Sequence, residues 1–600
     1  METKEILRTP GGAFLLQETY SENIFTPEDF SEEQQMMRDA VKEFIDREVW
    51  PNKYRFEQKD YDFTFELMRK AGELGFLGVS VPEAYGGLEM GFVSAMLVCD
   101  YFSGATGSLS TAYGAHTGIG IAPIVLYGTE KQKQKYIPKL ASGEEIGCYC
   151  LTEPEAGSDA NSGKTKAVLS EDETHYKISG QKIWISNAGY ASVMIVFARI
   201  EDDNNITGFI VPYDPENGIT LGEEEHKLGI HASSTRQVFF SETKVPVENM
   251  LSDRGNGFKI AMNALNVGRV KLAFGCIDAQ RRTISESVRY ANDRIQFKTP
   301  ISQFGAIKQK IAIMATNCYV GESGCYRAAK DIEDSIASRA ESGKSHQEAE
   351  LKGVEEYVIE CSILKVALSE HIQDCTDEGV QIFGGMGYSA EMPMESAWRD
   401  ARISRIYEGT NEINRMLTVA MLVKKTMKGQ LDLISPATAV GEELLGVPSF
   451  DIPDYTEPLS EEKSILKNLK KVFLMISGTI VQNYGTDLDK HQQLLLSVSD
   501  ILIEIYLVES AILRTEKNIN RYGLENHDIQ LAMTKLYLFK SVEKIQSKGK
   551  EAIISSSKGD EQKILLMGLK RFTKYVNHPN VINLRKQVAD KVISENQYCF

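Results

Sequence analysis

Between about Pro27 and Leu140 apolar residues recur three and four apart, as in Glu33-Gln-Gln-Met-Met-Arg-Asp-Ala-Val-Lys-Glu-Phe-Ile, where the bulky positions share one helical stripe. From about Glu145 to Gly257 the period shortens to two. Tyr176-Lys-Ile-Ser, Val193-Met-Ile-Val-Phe-Ala, Gly208-Phe-Ile-Val-Pro and Gln237-Val-Phe-Phe read as strands bounded by Gly, Asn and Asp turns. Helical spacing returns from Phe258 to about Lys428, in runs such as Leu272-Ala-Phe-Gly-Cys-Ile-Asp-Ala-Gln. A stretch with Pro436, Pro448, Pro453 and Pro458 and little periodicity reads as a surface connector. Four further helical runs follow, Ser464 to Gln482, Leu488 to Asn518, Asp528 to Ser547 and Gln562 to Val576, which predict a second bundle. The expected units are therefore a helical domain at 1–144, a β domain at 145–257, a helical domain at 258–429, a linker at 430–463 and a helical extension at 464–600.

At 600 residues the chain is too long for one core, and 42% hydrophobic with 25% charged residues is ordinary for a globular protein. The net charge of −17 argues against nucleic acid as a partner and against strong attraction to anionic lipid. Peripheral membrane contact is not indicated, since no strongly basic amphipathic helix stands out. Nine dispersed cysteines without a CxxC pair argue against a disulfide framework, and Cys148-x-Cys150 has no second Cys/His pair to make a metal site, so no metal is expected. Acid early in the first residues and the lack of a long apolar run give no support to a signal or spanning segment, so the expected location is cytoplasmic.

Three segments place reactive groups where regular structure ends. Tyr149-Cys-Leu-Thr-Glu-Pro-Glu-Ala-Gly-Ser-Asp159 carries a hydroxyl, a Gly-Ser turn and backbone donors from a strand into a loop. Ile183-Trp184-Ile185-Ser186-Asn187 ends a second strand in an aromatic, a hydroxyl and an amide. Arg405-Ile-Tyr-Glu408-Gly-Thr-Asn411 sets a carboxylate in a short loop between helices, beside a glycine that permits close approach of a substrate. Burial of Glu408 against apolar groups would raise its pKa towards the operating pH, as a proton-abstracting base requires. No GxGxxG follows a strand, so a Rossmann dinucleotide site is not indicated.

In order and spacing these segments resemble the signature set of the acyl-CoA dehydrogenase family, over about Phe30 to Lys428, and the helical extension is similar to that of its very-long-chain group. The resemblance implies a mainly α fold with a middle β-barrel-like domain, a C-terminal four-helix bundle and an extra helical domain. It implies FAD as cofactor and the α,β-dehydrogenation of long- or very-long-chain acyl-CoA to trans-2-enoyl-CoA in fatty acid β-oxidation, with Glu408 as the α-proton base. The implied flavin contacts are Tyr149, Leu151, Thr152, Gly157, Ser158, Trp184, Ile185, Ser186, Thr410 and Glu412. Arg294, Gln296 and Phe297 stand at the family's Arg-x-x-Phe position, and Gln381, Gly384 and Gly385 at the Gly-Gly loop that reaches the flavin of the neighbouring subunit. Ser158, Asn266, Arg269, Tyr407 and Gly409 are the implied substrate contacts, with Arg269 near the entrance and the pantetheine. The Asn-x-Gly-Arg form at Asn266 and small Gly118 and Gly120 at the base of the acyl pocket favour long chains. Electron-transfer flavoprotein as electron acceptor and a homodimer complete the implied picture. An acyl-CoA oxidase, or a scaffold of the same fold serving respiratory complex assembly, are the alternatives the sequence leaves open.

Overall fold

The computed structural model describes residues 8–446 and 455–600; Pro448 and Pro453 of the expected connector lie outside them. The first unit contains α1 (Glu32–Phe44), α2 (Tyr61–Glu73), α3 (Gly91–Phe102), α4 (Gly107–Gly114) and α5 (Glu130–Ala141). Ser31 and Gln34 form a reciprocal capping box that satisfies the free N–H groups at the start of α1. After α4 the chain widens into a π-helical turn, Ala115–Gly120. There the buried His116 donates from Nε2 to Leu140 O (2.9 Å) and accepts from Gly147 N at Nδ1 (3.0 Å), tying the turn to the first strand. A Cβ on Gly120 would stand 3.1 Å from the Gly147 backbone, so the glycine lets strand and turn touch.

The second unit is built from β1 (Gly147–Cys150), β2 (Lys166–Leu169), β3 (His175–Ser186), β4 (Val193–Ile200), β5 (Thr207–Pro212), β6 (Ile219–Leu221), β7 (Thr235–Pro246) and β8 (Met250–Leu251). The strand order is β6-β7-β3-β2-β4-β5-β8, with β1 pairing in parallel beside β4 from Gly147↔Val193 to Cys150↔Val196. β4 explains its own unbroken apolar run. Val193, Ile195 and Phe197 face the helices, whereas Met194, Val196 and Ala198 face the core shared with Ile178, Phe209 and Val238, so both sides are buried. β3 is interrupted by a register shift between Lys182 and Ile185, where Trp184 adopts a left-handed φ of 60°.

The third unit packs α6 (Gly257–Asp293), α7 (Gly305–Glu341), α8 (Val358–Phe383), α9 (Pro393–Arg402) and α10 (Asn411–Met427). Inside the expected connector stands another helix, α11 (Ile434–Leu445). Its proline signal misleads because Pro436 lies in the first turn, where a missing N–H costs no intrahelical bond, and Asp432 caps the turn by accepting from Ile434 N and Ser435 N. The extension holds α12 (Ser460–Tyr484), α13 (Gln492–Tyr522), α14 (Asp528–Ser556) and α15 (Gly559–Phe572), plus α16 (Val581–Glu595), which the sequence reading omits. α16 buries only Val588, Ala589 and Val592 against its neighbours, too sparse a stripe to stand out. No helix among the described residues is long and apolar enough to cross a membrane.

A buried charge network joins these units. On α6, Arg281 pairs with Asp100 of α3 (2.9 Å) and with Glu322 of α7. Glu322 also meets Arg514 of α13 (2.7 Å), which reaches on to Glu28 ahead of α1 (2.6 Å). Burial alone would raise the Glu28 carboxyl, but the Arg514 guanidinium overrides it and holds the group at about 2. Arg514→Met strands Glu322 and Glu28 without that cation and is expected to cost about 3 to 5 kcal/mol of stability, measured by urea unfolding at neutral pH; a loss below about 1 kcal/mol would refute a stabilising network.

Candidate active site

The loop from Tyr407 to Thr410 is held in an unusual shape. Glu408 and Gly409 both have left-handed φ, 58° and 79°, a conformation a glutamate adopts at a cost of about 1 kcal/mol or more. Side chains fasten its carbonyls. Glu408 O accepts from Arg269 Nε and Asn414 Nδ2, both at 3.3 Å, and Gly409 O accepts from Lys365 Nζ (2.7 Å) and Asn414 Nδ2 (2.8 Å). Lys365 also donates to Asn411 Oδ1 (2.8 Å), and Thr410 caps α10 by accepting from Ile413 N. The loop therefore presents its glutamate in one orientation.

The Glu408 Oε2 atom is buried and has no hydrogen-bond partner among the described residues. Burial pushes its carboxyl up to about 7, against the opposing pull of Arg269 and Lys365. Gly268 makes room for it: a Cβ there would lie 2.5 Å from Glu408 Oε2. Burial likewise pushes the Lys365 ammonium down to about 7 despite the nearby Glu408.

Glu408 opens onto a cavity of about 390 Å³ between the β domain and the flanking helices. Tyr149, Leu151, Thr152, Trp184, Ile185, Ser186 and Tyr407 share its wall. The Tyr149 hydroxyl is buried without a partner, and the Trp184 ring, turned out by the bulge, is 55% exposed. Behind this wall Lys182 and Glu153 form a buried ion pair (2.6 Å), and Lys182 also donates to Leu151 O (3.2 Å). Glu153 in turn accepts from the backbone of Lys164 and Thr165, so the loop after β1 is fixed to β3.

Other expected residues lie elsewhere. Gly157 and Ser158 are exposed on the loop beyond the Glu153–Ala156 bridge, outside the cavity wall. Gly409 and Thr410 lie behind Glu408, and Glu412 is exposed in the first turn of α10. Asn266 and Arg269 require a correction. Arg269 is buried beneath the Tyr407–Thr410 loop, donating to Asn266 Oδ1 (2.8 Å) and to Glu408 O rather than standing at an entrance, because the loop carbonyl needs the donor. Gly118 and Gly120 do not line this cavity either: Gly120 packs on the Gly147 backbone and Gly118 on the stem of Lys271. Arg294, Gln296 and Phe297 sit in an exposed hairpin past α6, whose two-residue turn has positive φ at Phe297 and Lys298. Phe297 is 89% exposed. Gln381, Gly384 and Gly385 are exposed at the end of α8, and the Tyr290 and Phe383 rings, stacked at 4.1 Å, hold the ends of α6 and α8 together. Sequence reasoning missed Gly268, Lys365, Asn414 and the Lys182–Glu153 pair. Gly268, inside Asn266-Val-Gly-Arg269, and Glu153, inside the Tyr149–Asp159 segment, lay in motifs the sequence singles out; Lys182, Lys365 and Asn414 carried no such signal.

Comparison with known proteins agrees with this architecture. Sequence profiles of the acyl-CoA dehydrogenase N-terminal, middle and C-terminal domains match residues 31–144, 148–243 and 255–422, and a further profile, also described as an acyl-CoA dehydrogenase C-terminal domain, matches 468–571. The chain is 42% identical over 593 residues to a probable acyl-CoA dehydrogenase of Bacillus subtilis (strain 168), covering 98% of each. It is 37% identical over 380 residues to the very long-chain specific acyl-CoA dehydrogenase, mitochondrial, of Rattus norvegicus, covering 62% of this chain and 54% of that one. An acyl-CoA dehydrogenase from Bacillus anthracis, crystallised as a complex with FAD, superposes with a TM-score of 0.95 at 41% identity, over 98% of this chain and 100% of that one. Butyryl-CoA dehydrogenase from Megasphaera elsdenii superposes with a TM-score of 0.59 at 34% identity, over 66% of this chain and 99% of that one. The chain belongs to the acyl-CoA dehydrogenase family, and with it to the oxidoreductases.

Gly268→Ala should push the Glu408 carboxylate aside and lower turnover on the order of 100-fold, with thermal unfolding little changed; steady-state kinetics that match the parent would contradict the close approach. Lys365→Met removes a cation that stabilises ionised Glu408, so the acid limb of the pH–rate profile should move to higher pH. An unmoved limb would show that Lys365 acts on the loop's shape alone.

Proposed function

We propose that this chain is an FAD-dependent acyl-CoA dehydrogenase acting on long-chain thioesters, with Glu408 as the base that removes the α-proton. The observation that carries the proposal is a buried, unpartnered Glu408 carboxylate facing a cavity whose opposite wall ends two strands in hydroxyls and an exposed indole.

The residues present fit a flavin. Tyr149, Leu151, Thr152, Trp184, Ile185 and Ser186 would hold the ring system, since they offer a partnerless buried hydroxyl, two further hydroxyls and an aromatic face to one space. Arg294, Gln296, Phe297, Gln381, Gly384 and Gly385 are exposed here and joined through the Tyr290–Phe383 stack, which suits contact with the cofactor across a homodimer. Thr410 and Glu412, at the start of α10, and the Gly157–Ser158 loop complete the proposed contacts. When bound, FAD supplies the acceptor for a hydride leaving the β-carbon, so the product is a trans-2-enoyl-CoA.

The chain's own residues handle the proton. Oε2 of Glu408 takes it from the α-carbon, and the atom is available because no described residue binds it. A carboxyl near 7 is matched to work at neutral pH: ionised often enough to accept, basic enough to compete for a weakly acidic C–H. The N–H of Glu408 is proposed to polarise the thioester carbonyl, with Arg269, Lys365 and Asn414 fixing the loop from behind. Residues of α3, α4 and α6 line the cavity beside Glu408 and leave little room for water around the reacting carbons once substrate fills it.

The long-chain preference is supported by the walls. The cavity follows one face of α6 past Gly268, Leu272, Gly275 and Ala279, and the facing segment Ser103-Gly104-Ala105-Thr106-Gly107 is made of small residues. From Gly268 to Arg282 is roughly 21 Å at 1.5 Å per residue. An extended acyl chain advances about 1.25 Å per methylene, the projection of its C–C bonds, so this length suits about sixteen carbons. The physiological electron acceptor is proposed to be electron-transfer flavoprotein.

Anaerobic titration with palmitoyl-CoA should bleach the oxidised flavin band, and Glu408→Gln should abolish bleaching while still binding the thioester. The bleaching rate should fall about tenfold per pH unit below about 7, as Glu408 becomes protonated. Bleaching by butyryl-CoA but not palmitoyl-CoA would refute the long-chain assignment; bleaching that survives in Glu408→Gln would refute the base.

A further inference from the structure

The cavity has a second end. Beyond Ala279 its wall continues along α6 through Arg282, Thr283 and Glu286, and the small residues give way to Trp50, Lys53, Tyr54 and Glu57 from the segment between α1 and α2. These residues change the character of the space. Lys53 Nζ lies 4.6 Å from the Trp50 ring centroid and the Arg282 guanidinium 5.5 Å from it, so two cations flank one indole. Tyr54 is 57% exposed, and Glu391 on the opposing segment is exposed as well. Met392 and Met394 complete that wall with adaptable thioether side chains. A closed acyl pocket would end in apolar groups, because burying charged heads at the end of an alkyl chain leaves them without water. Here Arg282 is held in ion pairs with Asp278 (2.7 Å) and with the half-exposed Asp46 (2.8 Å), and Tyr54 and Glu391 beside it reach solvent.

We propose that the catalytic cavity is a through-passage, with a second mouth at Trp50, Lys53 and Arg282 from which the distal end of a long acyl chain emerges. The inference rests on the reading of the cavity as the acyl-chain site, and extends it: length beyond the passage is not limiting, and acyl-CoA thioesters with a bulky or polar group on the terminal carbon are substrates once the chain spans the passage.

The test uses the FAD-loaded full chain with four thioesters: octanoyl-CoA, hexadecanoyl-CoA and the same two carrying a pyrene on the terminal carbon. The expected result is anaerobic bleaching with both plain thioesters and with ω-pyrenyl-hexadecanoyl-CoA, and loss of bleaching with ω-pyrenyl-octanoyl-CoA, whose label would have to sit inside the passage. No bleaching by ω-pyrenyl-hexadecanoyl-CoA where hexadecanoyl-CoA bleaches overturns the second mouth. Bleaching by both labelled thioesters overturns it too, since the label is then tolerated within. If neither plain thioester bleaches, the dehydrogenase reading fails and the second mouth with it. Binding gives an independent readout: on Glu408→Gln, the pyrene of bound ω-pyrenyl-hexadecanoyl-CoA should remain quenchable by aqueous iodide, and full protection would show a sealed end. Ala279→Trp, which narrows the passage midway, should lower kcat/KM for hexadecanoyl-CoA relative to octanoyl-CoA by at least about tenfold; an unchanged ratio would mean that the chain does not pass Ala279.

Discussion

A carboxyl keeps a pKa near neutrality only where its ionised form gains few hydrogen bonds and little water. Much of the structure around Glu408 follows from that constraint. Burial raises the carboxyl to about 7, yet two cations, Arg269 and Lys365, lie close enough to keep it from rising further. Their N–H groups go to carbonyls and amides of the loop and its neighbours, so their charge reaches the carboxylate while their hydrogen bonds do not. The left-handed turn at Glu408 and Gly409 aims the side chain away from these donors, and Gly268 leaves the volume into which it points. Strain, charge and a missing side chain thus serve one atom, Oε2.

The order of units is legible because the apolar period changes from helical to alternating and back. β4 is also legible in retrospect, since an unbroken apolar run is what burial on both faces demands. The cavity wall is legible where it is contiguous in sequence, at Tyr149 to Thr152 and at Trp184 to Ser186. What escapes a linear reading is whatever acquires meaning from a distant partner. Lys365 is one lysine among many until its amine meets Gly409 O, and Gly268 is an ordinary helical glycine until Glu408 is set against it. Arg269 shows the complementary failure: its motif identifies the helix, but its direction is decided by a loop carbonyl 139 residues away. Pro436 misleads for a local reason, being read as a breaker where it occupies a helix's first turn.

The extension is wired to the active-site loop as well as to the frame. Arg415 of α10 reaches Asp500 of α13 (2.9 Å) and Glu370 of α8, and Thr418 shares a hydrogen bond with Ser499 (2.8 Å). α10 begins two residues after Glu408's neighbour Gly409, so α13 braces the helix on which the Glu408 loop is anchored.

The charge knot at Arg514 also sets an order of events during synthesis. Glu322 and Arg514 are 192 residues apart, so a ribosome finishes α3, α6 and α7 long before the arginine that completes their pairing exists. Until then Asp100 and Glu322 face Arg281 without Arg514, and contacts of such sequence separation form late and slowly. The Glu322–Arg514 and Glu28–Arg514 pairs can therefore close only after α13 has left the ribosome, so the last seam of the frame is set by the extension.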